Sequence, residues 1–416
     1  MTDIEKRGWI VTFAGMGVNL CLGVLYSWSV FAKALVDQLH WTKTSASLPY
    51  TIAIIVFAVF MVPAGRVTDK WGPRIVITIG GIFAGGGMIL ASLGQSLGLL
   101  VVTFGVLVGI GIGMGYAAAT PAAVKWFGPH KKGLISGIVV AGFGLGSVYI
   151  APLTNFLIKF GIDRAFLIEG IIFLVAIVVI AQLLSFPPKG YAPSPAVAPA
   201  RQKSLQAQAH CAAAPHEYEW HEMMKTPSFY LIWLIYLLGA FAGLMIIGHL
   251  AKIADMQVGI KYGFVLVALL AILNAGGRVC SGWLGDKIGR TNTLFIVLLV
   301  QAFNMFLFRS YSTVATLTIG VLIAGYCYGS LLSLFPSITY EYYGTEHAGM
   351  NYGIVFTAWG AGGVIGPIVA GKVADMTGAY NQAYLIASVL CVAGCLLTWL
   401  IRAPRAAGAM AAAPTT

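Results

Sequence analysis

The chain has 416 residues, of which 59% are hydrophobic and only 9% charged, whereas a soluble domain carries about 25% charged residues. That balance excludes a soluble globular protein and leaves a polytopic membrane protein. The net charge of +11 does not read as a nucleic-acid surface, because the basic residues cluster in loops between apolar runs. This is the positive-inside pattern, with anionic lipid as the partner.

Twelve apolar segments are each long enough to cross a hydrocarbon core of about 30 Å at about 1.5 Å rise per residue. They are expected at about 9–36, 46–66, 74–95, 98–124, 133–158, 165–186, 228–251, 262–284, 291–309, 314–337, 349–374 and 381–402. The run after Arg7 is too long for a signal peptide and reads as the first span. A polar stretch, 187–227, rich in Pro, Ala and Gln, separates six spans (1–186) from six (228–402). The Ala- and Pro-rich tail, 403–416, is expected to be disordered. With the N-terminus inside, sixteen Lys and Arg fall on the inner side, eight on the outer, and Arg278 within a span. This orientation puts both termini and the linker in the cytoplasm of a cell whose (inner) membrane holds the chain.

The two halves repeat. Gly65-Arg-Val-Thr-Asp69-Lys70-Trp-Gly72-Pro-Arg74 returns as Gly282-Trp-Leu-Gly-Asp286-Lys287-Ile-Gly289-Arg290, with Asp69 and Asp286 separated by 217 residues. Trp126 to Gly128, with Gly133 and Gly137, returns as Tyr342 to Gly344, with Gly349 and Gly353, at an offset of 216. Phe143-Gly144 returns as Trp359-Gly360. Such a fold is all-α, with twelve transmembrane helices in two pseudo-symmetric six-helix bundles, and rocks about a site between the halves.

Arg278 stands out against this repeat, because its counterpart is Met61. It lies about 24 Å along the eighth span from the outer end, at about 1.5 Å per residue. No acid sits one turn away; Asn274 is at i−4 and Gly282 at i+4. Snorkelling to the inner interface is the bland reading. A cation within a span more often serves a pathway, and a guanidinium fork matches a carboxylate. Asn274 shares its face and either donates to a substrate oxygen or bonds a neighbouring helix. Tyr116 and Tyr328, in the fourth and tenth spans, either bond substrate oxygens or pack. Leu25, Phe143, Phe356 and Trp359 are cavity candidates for which packing is the alternative.

Asp69, Arg74, Asp286 and Arg290 end spans at the inner face and read as gating residues, the acids pairing across the halves with helix N-termini. Glu169 is the one acid in a strongly apolar run. It reads as an interfacial acid near Arg164, with a proton carrier as the alternative. His210, Cys211, His216 and His221 lack the spacing of a metal site. The six cysteines imply no disulfide framework. No phosphate-cradling motif or nucleophile–base constellation occurs, so neither enzyme activity nor a cofactor is implied.

The two Gly-x-x-x-Asp-Lys-x-Gly loops resemble the signature of the major facilitator superfamily. Within it, Trp126-Phe127-x-x-x-Lys131-Lys132-Gly-Leu134-x-x-Gly137, followed by Ala141-Gly142, resembles the fifth-helix motif of the monocarboxylate transporter family. The resemblance implies that Arg278 is the substrate-binding cation. Animal members carry an aspartate, implicated in proton coupling, where this chain has Asn274. The resemblance therefore does not assign the proton-carrying group. Tyr26-Ser27-Trp28, Tyr116, Phe335-Pro336 and Gly282 to Arg290 are also similar to the oxalate/formate antiporter family. That family has a second essential lysine where this chain has Trp359, and a glutamine where it has Leu25. One cation suits a monoanion, since a dianion enclosed at low dielectric needs two. The expected function is a secondary transporter of a small monocarboxylate, lactate- or pyruvate-like, together with a proton. An anion exchanger of the oxalate/formate type is the alternative. A carboxylate-sensing receptor is a further one, against which the short linker and tail argue.

Overall fold

A computed structural model describes residues 3–188, 190–191, 217–259 and 263–404. Among them, twelve helices are long and apolar enough to cross a membrane: α1 Glu5–Leu39, α2 Ser45–Trp71, α3 Pro73–Ala91, α4 Leu97–Val124, α5 Pro129–Ile158, α6 Ile162–Ala181, α7 Pro227–Leu250, α8 Val265–Ile288, α9 Arg290–Phe308, α10 Val314–Tyr343, α11 Ala348–Thr377 and α12 Asn381–Leu400. No strand occurs among the described residues. Large apolar side chains such as Phe13, Val179, Phe303 and Trp399 are exposed on the perimeter, as a lipid solvent allows. Most of the polar stretch between α6 and α7 and nearly all of the tail, including His210, Cys211 and His216, lie outside the described residues.

Local chemistry sets the helix ends. Thr42, Thr226 and Thr313 cap their helices by accepting the backbone N–H three residues on. Gly72 and Gly289, at φ 86° and 94°, make the tight turns after α2 and α8, where a side chain would be strained. Two helices are not uniform. Gly23–Ser27 of α1 is wound as a 3-10 helix, and Val101–Val108 of α4 as a π-helix.

Three boundaries depart from expectation by five residues or more; α2 runs to Trp71 rather than 66, through the first charged loop. α10 runs to Tyr343 rather than 337. Ser337 and Thr339 turn their hydroxyls back onto the carbonyls of Ser333 and Phe335 at 2.7 and 2.8 Å, which makes the polar stretch compatible with an apolar interior. α6 stops at Ala181 rather than 186, because Leu183 to Ser185 leave the helix. There the Ser185 carbonyl accepts from the Trp126 indole at 2.9 Å. The end of the linker is ordered on the same face. Tyr218 donates its N–H to Tyr343 at 3.1 Å and accepts from the Asn351 amide at 2.8 Å.

The first six and last six spans meet at two crossings, α2 with α11 and α5 with α8. Glycines let the backbones touch. A Cβ on Gly65 would lie 2.1 Å from the Gly349 carbonyl oxygen, and one on Gly133 would lie 2.2 Å from that of Gly282. One turn further in, a Cβ on Gly353 would meet the Met61 carbonyl oxygen at 2.6 Å, and one on Gly137 that of Arg278 at 2.3 Å. The fold thus brings Arg278 to a helix crossing at the interface between the halves.

Candidate functional site

Arg278 is fully buried. Its Nε donates to Asn274 Oδ1 at 2.9 Å, one turn back on α8. Its Nη1 donates to the Val140 carbonyl of α5. Its Nη2 has no hydrogen-bond partner. No acid pairs with the guanidinium among the described residues; two neutral dipoles hold it. Gly144 of α5 leaves Nη2 uncovered, since a Cβ there would touch it at an ordinary contact distance of 3.6 Å. An unpaired buried cation with a free N–H pair is a costly arrangement, stabilised when an anion arrives.

Aromatic side chains from both halves wall this region. Phe57 of α2 is the hub, with ring centroids 5.5 Å from Tyr116, 5.9 Å from Phe143, 5.1 Å from Phe356 and 5.4 Å from Trp359. Trp359 stacks on Phe356 at 4.7 Å and donates its indole N–H to the Tyr328 hydroxyl at 2.9 Å. The Tyr116 hydroxyl is buried and approaches only that of Tyr352. Leu25 is buried in the 3-10 turn of α1. Beside it, Tyr26 meets Phe143 edge-on at 5.3 Å.

The face that carries the Gly-x-x-x-Asp loops holds two clasps. Asp69 accepts the N–H groups of Gly349 and Met350 at 3.1 and 3.0 Å. Asp286 accepts those of Gly133 and Leu134 at 2.9 and 2.8 Å. Each carboxylate therefore caps the first turn of a helix from the other half, where orphan donors and the helix dipole favour it. Arg290 donates from Nη2 to Asp286 and to the Pro129 carbonyl, both at 2.9 Å, and from Nη1 to Glu341. Arg74, expected in the equivalent role, is exposed and forms no ion pair among the described residues. Lys125 stands near Asp69 instead, with Nζ 3.9 Å from Oδ1, and donates to the Glu346 carbonyl at 3.2 Å. Burial pushes the Lys125 ammonium below its ordinary pKa, against the pull of Asp69, Glu217 and Glu346.

The profile of the Major Facilitator Superfamily matches residues 9–308 and 294–414. The chain belongs to the Major Facilitator Superfamily. It is therefore a multi-pass membrane transporter and not an enzyme. It is 28% identical over 404 residues to the oxalate:formate antiporter of Oxalobacter formigenes, covering 96% of this chain and 92% of that one. It is 24% identical over 403 residues to monocarboxylate transporter 12 of Homo sapiens, covering 91% and 77%. The fold is similar to that of the proton:xylose symporter XylE, at a TM-score of 0.74 and 13% identity, covering 96% of each chain. It is also similar to the E. coli fucose:proton symporter FucP, at 0.69 and 15%, covering 94% and 98%.

Not every residue singled out in the sequence falls at one site of this transporter. Arg278, Asn274, Tyr116, Tyr328, Phe143, Phe356 and Trp359 gather between the crossings, while Glu169 lies apart, between α5 and α6. Glu169 is fully buried among the helices, whereas Arg164 is exposed and does not pair with it. Its Oε1 meets the Thr154 hydroxyl of α5, which also donates to the Ile150 carbonyl at 2.9 Å. Residues missed in the sequence include Phe57, Tyr236 and Tyr352. The hydroxyls of both tyrosines are buried and approach only other phenols, but a tyrosine in an apolar helix carries no local signal that separates it from packing. Among the described residues no group of His, Cys, Asp and Glu could hold a metal.

Proposed function

We propose that this transporter moves a small monocarboxylate of the lactate or pyruvate type together with a proton, by alternating access about Arg278. In this reading the clasp face and both termini are cytoplasmic, in a cell membrane. The observation that carries it is the fully buried Arg278, held among the described residues only by Asn274 and a backbone carbonyl, with Nη2 unpartnered. A carboxylate that docks on Nη2 neutralises the site and lets it be enclosed. Because Asn274 gives its carbonyl oxygen to Arg278, its amide nitrogen is the part that faces a substrate oxygen. Walls of Leu25, Phe57, Phe143 and Phe356 suit a short apolar tail. Trp359 supplies no second positive charge, so a dianion would leave a net buried charge.

Net uptake of an anion with one proton needs a protonatable group, and Glu169 is the candidate. The Thr154 hydroxyl has one proton and two oxygens in reach, Glu169 Oε1 and the Ile150 carbonyl. A protonated Glu169 that donates to Thr154 satisfies both contacts. Exchange of carboxylates is the second reading, favoured by the likeness to the oxalate:formate antiporter.

Labelled lactate flux in proteoliposomes tests these readings. An inward proton gradient is expected to drive accumulation, and a protonophore to abolish it. Indifference to the protonophore, with an internal counter-anion essential, selects exchange. Oxalate that competes as well as unlabelled lactate overturns the monocarboxylate assignment. Glu169→Gln is expected to uncouple accumulation from the gradient; unchanged coupling removes Glu169.

A further inference from the structure

Between the Arg278 region and the clasps lie four buried tyrosine hydroxyls, those of Tyr116, Tyr236, Tyr340 and Tyr352, with no amide, carbonyl or charged group as hydrogen-bond partner; those of Tyr116 and Tyr236 approach only that of Tyr352. Each of these residues is at most 2% exposed. Buried hydroxyls that have at most one another as partners leave donors and acceptors unmet at a cost, and phenylalanine would fill the same ring volume without that cost. Packing alone therefore gives no reason for four of them in one place.

Their arrangement is a ladder. Three of the rings surround Phe356, at centroid distances of 5.4 Å for Tyr116, 5.7 Å for Tyr352 and 6.3 Å for Tyr236. Tyr340 continues from Tyr352 at 6.1 Å. The hydroxyls of Tyr116 and Tyr236 lie on the side of Tyr352, and Arg278 is within electrostatic reach of both. Tyr116 stands eight residues from the clasp end of α4 and Tyr236 nine from that of α7, about 12–14 Å at about 1.5 Å per residue. Tyr352 and Tyr340 stand four and three residues from the clasp ends of α11 and α10, about 5–6 Å. The rungs thus descend from the Arg278 level toward Asp69, and they come from both halves.

We propose that Tyr236, Tyr352 and Tyr340, with Tyr116 as the top rung, form a second station for the carboxylate of the substrate on the clasp side of Arg278. The inference rests on the reading that the chain transports a monocarboxylate. When the clasps part, phenol O–H groups donate to the anion as it leaves the guanidinium. Neutral donors suit a release path, because they replace hydration without binding as tightly as a charged partner does.

The test is Tyr236→Phe, Tyr352→Phe and the double variant in oriented proteoliposomes, with labelled lactate supplied from each face in turn. Loss of a hydrogen bond to a carboxylate is expected to raise KM from the clasp face about tenfold or more. KM from the opposite face is expected to stay unchanged, with only its Vmax reduced. Thermal unfolding is expected to change little, since the removed hydroxyl makes at most a weak contact with a neighbouring phenol. Tyr340→Phe, at the lowest rung, repeats the measurement at a separate position should an upper variant fold poorly. Unchanged clasp-face KM in the folded variants overturns the station and leaves transport standing. A wild-type protein that moves no lactate under any gradient overturns the transport reading itself, and the station with it.

Discussion

The two helix crossings are built alike and used differently. At α2 with α11, Gly65 meets Gly349, Met61 meets Gly353, and Asp69 caps α11. At α5 with α8, Gly282 meets Gly133, Arg278 meets Gly137, and Asp286 caps α5. The backbone contacts and the acid caps are duplicated. The side chain at the crossing point is not: one half buries a thioether and the other a guanidinium. The second partner of the acid also differs, with Arg290 at 2.9 Å on one side and Lys125 at 3.9 Å on the other. What the fold needs is therefore the close glycine contact and the capped helix. The cation at the crossing and the cation beside the cap are free to diverge.

The sharpest break of this comparison is at the unequal position itself. Arg278→Lys keeps the charge but loses the planar fork that holds Asn274 and the Val140 carbonyl. Transport is expected to fall about a hundredfold or more, consistent with the roughly 3 kcal/mol that follows from breaking a buried charged contact. Met61→Leu, its counterpart, conserves volume and is expected to change transport less than about tenfold. Wild-type lactate affinity in Arg278→Gln would remove the cation from the binding site.

Why Arg278 could be found in the sequence, and its surroundings could not, has a physical basis. A cation in an apolar run is expensive, so its presence is informative in isolation, and the offset of 217 exposes Met61 as its counterpart. Offsets of 217 and 216 likewise locate the glycines of both crossings. Phe57, Tyr236 and Tyr352 gather from three helices, and only tertiary packing distinguishes them from ordinary core aromatics. The contact of Glu169 with Thr154 spans the α5–α6 turn, and nothing in either helix alone points to it. The repeat also misdirects. It assigns Arg74 the place of Arg290, yet Lys125 reaches Asp69 from the end of α4, because tertiary placement and not sequence offset decides which cation arrives.

The glycine contacts come next. Gly137→Ala sets a Cβ 2.3 Å from the Arg278 carbonyl oxygen, and Gly353→Ala sets one 2.6 Å from that of Met61. Both must push backbone aside, at about 1–3 kcal/mol of stability each. Only Gly137→Ala also displaces Arg278, so it is expected to lower transport further than its loss of thermal stability explains. Equal losses of transport in the two variants would count against a special role for the α5–α8 crossing.

At the clasps, Asp286→Asn is expected to cost more than Asp69→Asn. The first change removes one of the two acids of the buried Arg290, at 6% side-chain exposure, and leaves Glu341 as its remaining acid, at about 2 kcal/mol. The second weakens two backbone caps and a longer, more exposed contact, at about 1 kcal/mol. Cysteine-labelling rates at the clasp face report both, since each variant favours opening there. Faster labelling in Asp69→Asn than in Asp286→Asn would reverse the order.

The smallest effects belong to the two cations of the α2 side. Arg74 is exposed and unpaired, so Arg74→Ala is expected to shift stability by less than about 0.5 kcal/mol. Lys125→Met is also expected to be mild, because the attraction to Asp69 and the lost hydration oppose each other. Its signature is in pH dependence. Burial holds the folded-state pKa of Lys125 below its ordinary 10.5. Between those two values the folded protein binds fewer protons than the unfolded chain, so this lysine makes stability rise with pH across that window. Above the ordinary value its contribution is flat. Other groups titrate in the same alkaline range, so the quantity to measure is the difference in unfolding temperature between wild type and Lys125→Met as a function of pH. That difference is expected to change in favour of wild type as pH rises toward 10.5. A difference independent of pH would mean that Asp69 and its neighbours fully compensate the burial of Lys125, making it a closer equivalent of Arg290 than its 3.9 Å separation indicates.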